Sequence, residues 1–394
     1  MADEVVLAGA CRTAIGKFQG ALAPLSAPQI GAVAVREAIR RAAIPPSAVQ
    51  EVILGCVLQA GLGQNPARQA AIHGGVPDHV GAMTINKVCG SGLKAVALAA
   101  QAIRAGDLEC VLAGGMESMT NAPYLLPQAR AGQRLGHGKL LDSLVQDGLW
   151  DAYKDFHMGC TAELVVRKYD VTRQAQDEFA AESHRKAVAA WKGGKYAAEV
   201  VAVDIAQPKG PAIAFAKDEG PREDSSAEKL GKLRAAFEEN GTVTPGNSST
   251  INDGAAAIVV LAGAKARALG VRPIARVTGY AVGGMAPEWV MMAPLEAVKN
   301  LQAKTGMKPT DFDLVEINEA FSAASVALVR EMKLDPAKVN VHGGAVALGH
   351  PIGCSGTRIL VTLLHALADR QLKKGLATLC LGGGNAVALS VEMI

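Results

Sequence analysis

One pattern is written twice in this chain, and that repetition constrains the fold more than any single residue does. In the first copy a short apolar strand over 4–9 precedes a helical stretch over 28–43 and a second strand over 51–55. Residues 82–86 then lead into Cys89-Gly90-Ser91-Gly92, a small-residue helix over 93–105, a stop at Gly106-Asp107, and a strand over 110–113 that ends at Gly114-Gly115. In the second copy, strands over 274–278 and 314–317 flank a helix over 293–305. Gly353-Cys354-Ser355-Gly356 then opens a helix running through Ala368, Lys374-Gly375 ends it, and a strand over 377–381 meets Gly382-Gly383-Gly384. Alternation of strands and helices predicts an α/β fold with largely parallel sheets covered by helices.

Between the copies the texture changes. Residues 119–245 read as an insertion lying over the sheet layers. A charged helix over 172–192 starts at Thr172 as N-cap, with Asp177 and Glu178 following. Residues 218–230 are polar, with Gly and Pro, and read as surface loop. A length of 394 residues suggests two or three packing units, and 49% hydrophobic residues supply an ample core. With 40 basic residues against 37 acidic and no basic run, nucleic acid is not an expected partner. The first residues carry Asp3 and Glu4 where a secretory leader has basic ones. The most apolar windows, 93–103 and 255–264, are too short for a membrane span or carry Lys and Gln. Seven widely spaced cysteines are an odd number, which fits a reducing compartment with some thiols kept for chemistry. A soluble cytoplasmic enzyme is the expectation.

Chemistry has three candidate centres. Cys89 follows a strand and precedes Gly-Ser-Gly and a helix, a place where free N–H groups favour thiolate and lower the thiol pKa; the alternative is a buried cysteine in a tight turn. His350, between Gly349 and Pro351, lies on a rigid turn and could take a thiol proton, or could be a structural histidine bonded to backbone. Cys380 ends a strand just before three glycines whose N–H groups could hold an oxyanion; a plain core cysteine is the other reading. Asn318, in Asn318-Glu319-Ala320-Phe321, follows a strand end and could hold a water. Rossmann, P-loop and G-x-S-x-G patterns are missing, as are metal-ligand spacings, so no cofactor or metal is expected.

Together these residues resemble the thiolase family, most of all its biosynthetic acetyl-CoA acetyltransferase branch, over nearly the whole chain. Val88-Cys89-Gly90-Ser91-Gly92 is similar to the family's nucleophile motif and Asn318-Glu319-Ala320-Phe321 to its NEAF block. Gly349-His350-Pro351-Ile352-Gly353 and Cys380-Leu381-Gly382-Gly383-Gly384 are similar to its last two motifs. The resemblance implies two similar halves, each with a mixed five-stranded sheet, in a layered αβαβα arrangement with an inserted loop domain. Its divisions fall at 1–118 (continued by about 246–272), 119–245 and 273–394. It also implies that Cys89 becomes acylated, His350 accepts its proton, and Cys380 removes an α-proton from the second thioester. One oxyanion falls to the N–H groups of Cys89 and Gly382, the other to His350 and a water on Asn318.

Coenzyme A contacts are implied at Leu149, His157, Met158, Phe237 and Ser249, with Arg222 near the adenine end and Ala320 and Phe321 on the substrate side. Acetyl-CoA, acetoacetyl-CoA and CoA are the implied partners, as substrates rather than cofactors. The segment 124–144 resembles a tetramerisation loop, which implies a homotetramer built as a dimer of dimers. Departures gather at Val290-Met291-Met292-Ala293-Pro294, where relatives often read Met-Gly-x-Gly-Pro, and at Cys160, Pro245 and Asn385-Ala386. The 290–294 change leaves a degradative 3-ketoacyl-CoA thiolase with longer substrates as the rival reading. An acyl-CoA-binding scaffold without turnover is the alternative from another class.

Overall fold

A computed structural model describes residues 4–394. In chain order, the first half holds strand β1 (Val5–Thr13), helix α1 (Ala27–Ala42), strands β2 (Glu51–Gly55) and β3 (Gly81–Ile85), helix α2 (Ser91–Ala105) and strand β4 (Cys110–Ser118). The intervening segment carries helices α3 (Met158–Tyr169) and α4 (Arg173–Lys192). Strands β5 (Asn252–Ala262) and β6 (Ala275–Gly284), helix α5 (Pro294–Thr305), strand β7 (Leu314–Ile317) and helices α6 (Ser322–Glu331) and α7 (Ile352–Asp369) follow. Strands β8 (Lys374–Leu381) and β9 (Asn385–Met393) close the chain.

The strands lie in the order β3-β2-β4-β5-β1-β6-β9-β8-β7. β1 meets β6 only at Val6↔Arg276 and Leu7↔Ala275, so two sheets are joined by a short seam. Alternation alone predicts parallel sheets, and here the structure differs. Among these nine strands only β2–β3, β2–β4 and β7–β8 are parallel, while β4–β5, β5–β1, β1–β6, β6–β9 and β8–β9 are antiparallel; β1 also takes a short parallel partner, Val200–Val201, from the insertion. The cause is visible at Gly382-Gly383-Gly384, which reverses the chain into a hairpin with no crossover helix, so the next strand pairs antiparallel.

The two halves are similar but not equal. Where β3 stands in the first, the second has a single bridge, Val315↔Val339. The second sheet therefore lacks the fifth strand that the resemblance implies. The Asn340 side chain replaces it, accepting from Ile317 N at 2.9 Å and donating to Ile317 O at 2.8 Å. Those are the ladder positions a further strand would occupy.

Strand residues alternate between two cores. Val5, Leu7, Ile258, Val260, Leu379 and Leu381 face a central layer made by α2 and α7. Val6, Ala8, Val259 and Leu261 face α1, while Val315, Ile317, Ala386 and Ala388 face α5 and α6. This is the layered αβαβα arrangement, with the inner strands β1, β4, β5 and β8 buried on both faces and mostly apolar. In the middle, α2 and α7 touch backbone to backbone. A Cβ on Gly92 would lie 2.6 Å from Thr357 Oγ1 and 2.8 Å from Thr357 N, and one on Gly356 would lie 2.4 Å from Leu93 N.

The insertion is tied to the sheets by buried charge. Arg12 on β1 bonds Glu199 Oε1 at 2.5 Å and both Asp218 oxygens at 2.8 and 3.0 Å, all out of water. Trp191 Nε1 and Ile15 N also donate to Asp218. The segment 218–230 is therefore not a surface loop at its start, and it ends in a short helix, Ala227–Gly231, that buries Leu230. The sequence conceals this because Arg12 lies 206 positions from Asp218.

Replacing Gly92 by Val forces α2 and α7 apart. Overpacking of this kind costs about 1–3 kcal/mol, so urea unfolding of Gly92→Val should give a lower midpoint, whereas an unchanged midpoint would contradict the close contact.

Candidate active site

Cys89 sits in a strained turn. Val88 has φ 47°, a conformation that costs a β-branched residue energy. The turn is held by Asn86 Oδ1 accepting from Val88 N at 2.9 Å and by Ser91 Oγ, which accepts from Lys87 N at 2.8 Å and donates to Val88 O at 2.7 Å. Gly90 caps α2, and a Cβ there would lie 2.0 Å from Leu381 Cδ2. Glycine thus lets the end of β8, with Cys380 and Gly382, close on the Cys89 turn.

The second copy of the turn holds His350. Its backbone N donates to Asn252 Oδ1 at 3.0 Å, and its ring Nδ1 is 2.6 Å from Ser355 Oγ. The Ser355 hydroxyl donates its one proton to Pro351 O at 2.9 Å. It therefore accepts from Nδ1–H, which leaves the lone pair on Nε2. Asn318 Nδ2 lies 3.4 Å from the imidazole nitrogens. Asn318 is itself set at the end of β7 by its N–H bond to Thr378 O at 3.2 Å.

Burial dominates the electrostatics. It lowers the His350 pKa from 6.5 to about 3, helped by Arg358, so the ring is neutral. It raises the Cys380 thiol from 9.0 to about 11. Cys89 is pushed up as well, by burial first and by Cys380 second, while the N–H groups of Cys89 and Gly382 pull it down. The lowered pKa expected from the helix end is thus corrected: desolvation outweighs the local amides, and the thiol is held protonated.

One cavity of about 660 Å³ brings the candidates together. Cys89, His350, Cys380 and Gly382 line it, and so do Leu149, His157, Met158, Arg222, Phe237, Ser249, Ala320 and Phe321. Asn318 alone is not on the wall; it stands behind His350. The His157 ring stacks on Phe237 with centroids 4.8 Å apart, and Phe237 meets Phe321 edge-on at 5.9 Å. His157 Nδ1 accepts from Gly159 N at 3.0 Å, so its Nε2 carries the proton and can donate. Ser249 N bonds Ala320 O at 2.9 Å and joins the insertion's end to the 318–321 block. Lys17 and the exposed Arg222 add positive charge to the lining, with Glu219 opposing. Among the described residues no group of three or more His, Cys, Asp or Glu is arranged to hold a metal ion.

Residues 5–264 match the family described as "Thiolase, N-terminal domain", and residues 271–393 match "Thiolase, C-terminal domain". The chain belongs to the thiolase family. This thiolase is 53% identical over 389 residues to an acetyl-CoA acetyltransferase of Pseudomonas aeruginosa, with 99% of each chain covered. It is 54% identical to one of Cupriavidus necator over the same share. The crystal structure of the Bacillus anthracis acetyl-CoA acetyltransferase superposes with a TM-score of 0.97 at 43% identity, covering 100% of this chain and 99% of that one.

Sequence reasoning missed two positions in this thiolase. Ser355 fixes the His350 tautomer; its signal was present, because Cys354-Ser355-Gly356 mirrors the turn at Cys89. Asn252 holds the His350 backbone from 98 positions away, which no local pattern reveals. Met291, marked by the departure at 290–294, lies with its Sδ 3.9 Å from Cys380 Sγ.

A neutral His350 with a pKa near 3 and a neutral His184 with a pKa near 4 are both lowered from 6.5. The unfolded chain takes up protons below 6.5 that the folded chain refuses, so stability is complete above that pH and falls as pH drops toward these values. Urea unfolding of wild type and His350→Asn on the acid side of 6.5 should show a shallower loss in the variant. Parallel slopes would contradict a neutral buried imidazole.

Proposed function

We propose that this protein is an acetyl-CoA C-acetyltransferase, which joins two acetyl-CoA molecules into acetoacetyl-CoA and CoA, reversibly, through an acetyl-cysteine. The reading is carried by the convergence of two thiols, one neutral imidazole and the Gly382 amide on a single cavity. Full-length relatives named for this activity support it.

The chemistry follows from the groups present. Cys89 is a thiol at rest, so attack on a thioester carbonyl needs a base at the moment of reaction. His350 Nε2 takes the proton as the sulfur–carbon bond forms. The oxyanion accepts from the N–H groups of Cys89 and Gly382, and the CoA sulfur leaves with the proton of Cys380, which becomes a thiolate while His350 keeps the Cys89 proton on Nε2. In the second half Cys380, as thiolate, takes a proton from the α-carbon of another acetyl-CoA. Its raised pKa makes that thiolate a stronger base, as a weakly acidic C–H bond requires. The enolate oxygen accepts from the protonated Nε2 of His350 and from a water on Asn318. The carbanion attacks the acetyl group, the Cys89 sulfur leaves with the proton held by His350, and Cys380 keeps the α-proton, so both thiols and the neutral imidazole are restored.

Coenzyme A is held as a substrate between the insertion and the two halves: Leu149, His157, Met158 and Phe237 of the insertion with Ser249 along the pantetheine arm, Arg222 at the adenine end, and Ala320 and Phe321 beside the acyl group. The 124–144 segment builds a homotetramer. A two-stranded ribbon of Tyr124–Leu125 with Leu141–Asp142 leaves Tyr124 65%, Leu135 97% and Leu140 63% exposed, which supports that role. No helix of the described residues is long and apolar enough to cross a membrane, and a cytoplasmic site of action fits the free thiols.

Two variants separate the roles. Cys89→Ala should take up no acetyl group from acetyl-CoA by intact-protein mass. Cys380→Ser should still acylate yet condense at least about 10³-fold more slowly, and normal condensation by that variant would remove Cys380 as the carbon base. Thiolysis of 3-ketoacyl-CoA substrates of rising chain length tests the short-chain assignment, with kcat/KM expected to be highest for acetoacetyl-CoA. Longer chains matching it would favour the degradative reading, and turnover of none would leave the scaffold.

A further inference from the structure

The acyl end of the cavity has two walls built from different parts of the chain. On the Cys89 side the wall is Met119, Leu149 and Ile352, which pack in one apolar cluster with Cys89. On the Cys380 side it is Val290, Met291 and Phe321, which pack in another cluster with Cys380. Met291 approaches nearest the chemistry: its Sδ is 3.9 Å from Cys380 Sγ, in van der Waals contact, and the residue is buried.

The segment that carries Met291 is held in place from both directions. Met285 N donates to Gly384 O at 2.7 Å, beside the turn that follows Cys380. From the insertion, Lys168 Nζ lies 4.1 Å from the Trp289 ring centre and Lys154 Nζ is 3.6 Å from Glu288 Oε1. A segment tied down ahead of Met291 by both the β8–β9 turn and the insertion, with Met291 itself buried, cannot give way cheaply to a larger ligand.

Resting on the proposed reaction, we infer that Met291 determines specificity at the α-carbon: it excludes α-branched thioesters while leaving the length of the acyl group on Cys89 to the other wall. The group that Cys380 deprotonates is the α-carbon, so that carbon must lie against Cys380 Sγ. An alkyl substituent on it needs the space beside that sulfur, and Met291 occupies space there. A longer straight chain beyond the 3-keto carbon is transferred to Cys89 and extends along Met119, Leu149 and Ile352 instead. Chain length and α-branching are therefore selected separately.

Thiolysis makes the test direct. Cys89 attacks the 3-keto carbon, the bond between C2 and C3 breaks, and the enolate leaving group takes a proton at C2 from Cys380. A 2-methyl substrate carries its extra carbon on that C2. Wild type should use acetoacetyl-CoA and 3-oxohexanoyl-CoA but turn over 2-methylacetoacetyl-CoA at least about a hundredfold less well, near the upper end of what one methyl group can discriminate. In Met291→Ala and Met291→Gly the ratio of kcat/KM for 2-methylacetoacetyl-CoA to that for acetoacetyl-CoA should rise about tenfold or more, while the 3-oxohexanoyl to acetoacetyl ratio changes little. Ratios within one variant cancel any general loss of activity, and the wild-type comparison needs no variant at all. Wild type using the 2-methyl substrate as well as acetoacetyl-CoA overturns the inference, and so does a Met291→Ala that turns over acetoacetyl-CoA with an unchanged 2-methyl ratio. Failure of wild type to cleave acetoacetyl-CoA overturns the proposed reaction itself.

Discussion

The contact between α2 and α7 at Gly92 and Gly356 governs the site. Both helices begin just after the turns that carry Cys89 and His350, so bringing their first turns into backbone contact brings the two functional groups to one cavity. The same contact places both helices between the sheets, and nearly every residue of α7 is buried. A helix with no exposed stripe belongs in an interior. That interior sets the electrostatics, because desolvation is the leading cause of the neutral His350 and of the raised Cys89 and Cys380 thiols. Packing and proton affinity are one design here.

Duplication explains how a single local device serves two purposes. Ser91 and Ser355 occupy matching places in the two copies, and each hydroxyl donates back to a carbonyl just before it. In the first copy the hydroxyl's lone pair is used by Lys87 N and shapes the nucleophile turn; in the second it is used by the His350 ring and fixes a tautomer. The repeat supplies geometry, and the side chain placed on it decides the chemistry. Met291 adds a contribution outside the repeat, reaching Cys380 from a segment clamped by the insertion.

Much of this was legible in the chain. Gly and Pro punctuation located helices such as 172–192, whose Thr172 side chain does accept from Ala175 N, and the four motifs named the residues that line one cavity. What the sequence hid is where distance in the chain and proximity in space part company. Gly114-Gly115 reads as the end of a strand, yet β4 runs through to Ser118. Gly115 is there because a Cβ would lie 2.1 Å from Gly353 O, a close approach rather than a turn. Asp218 reads as solvent-facing because its partner Arg12 is far away in the chain. The thiol of Cys89 reads as acidic because the local amides are visible and the surrounding protein is not.

The Asn340 amide that completes β7 has a consequence for how copies of this chain can meet. A sheet edge lined with free N–H and C=O groups invites another strand, and a chain with such an edge at both ends can propagate without limit. Here one end is finished from within: β7 is buried, and Asn340 occupies its outer hydrogen-bonding positions. At the other end of the long sheet β3 is partly exposed, and the carbonyl of its Ala82 accepts from the Asn65 side chain at 2.8 Å. Both ends of the long sheet thus have outward backbone groups met by an asparagine side chain, which makes each edge a poorer template for a further strand. At the β7 end that side chain stands where a strand might have been.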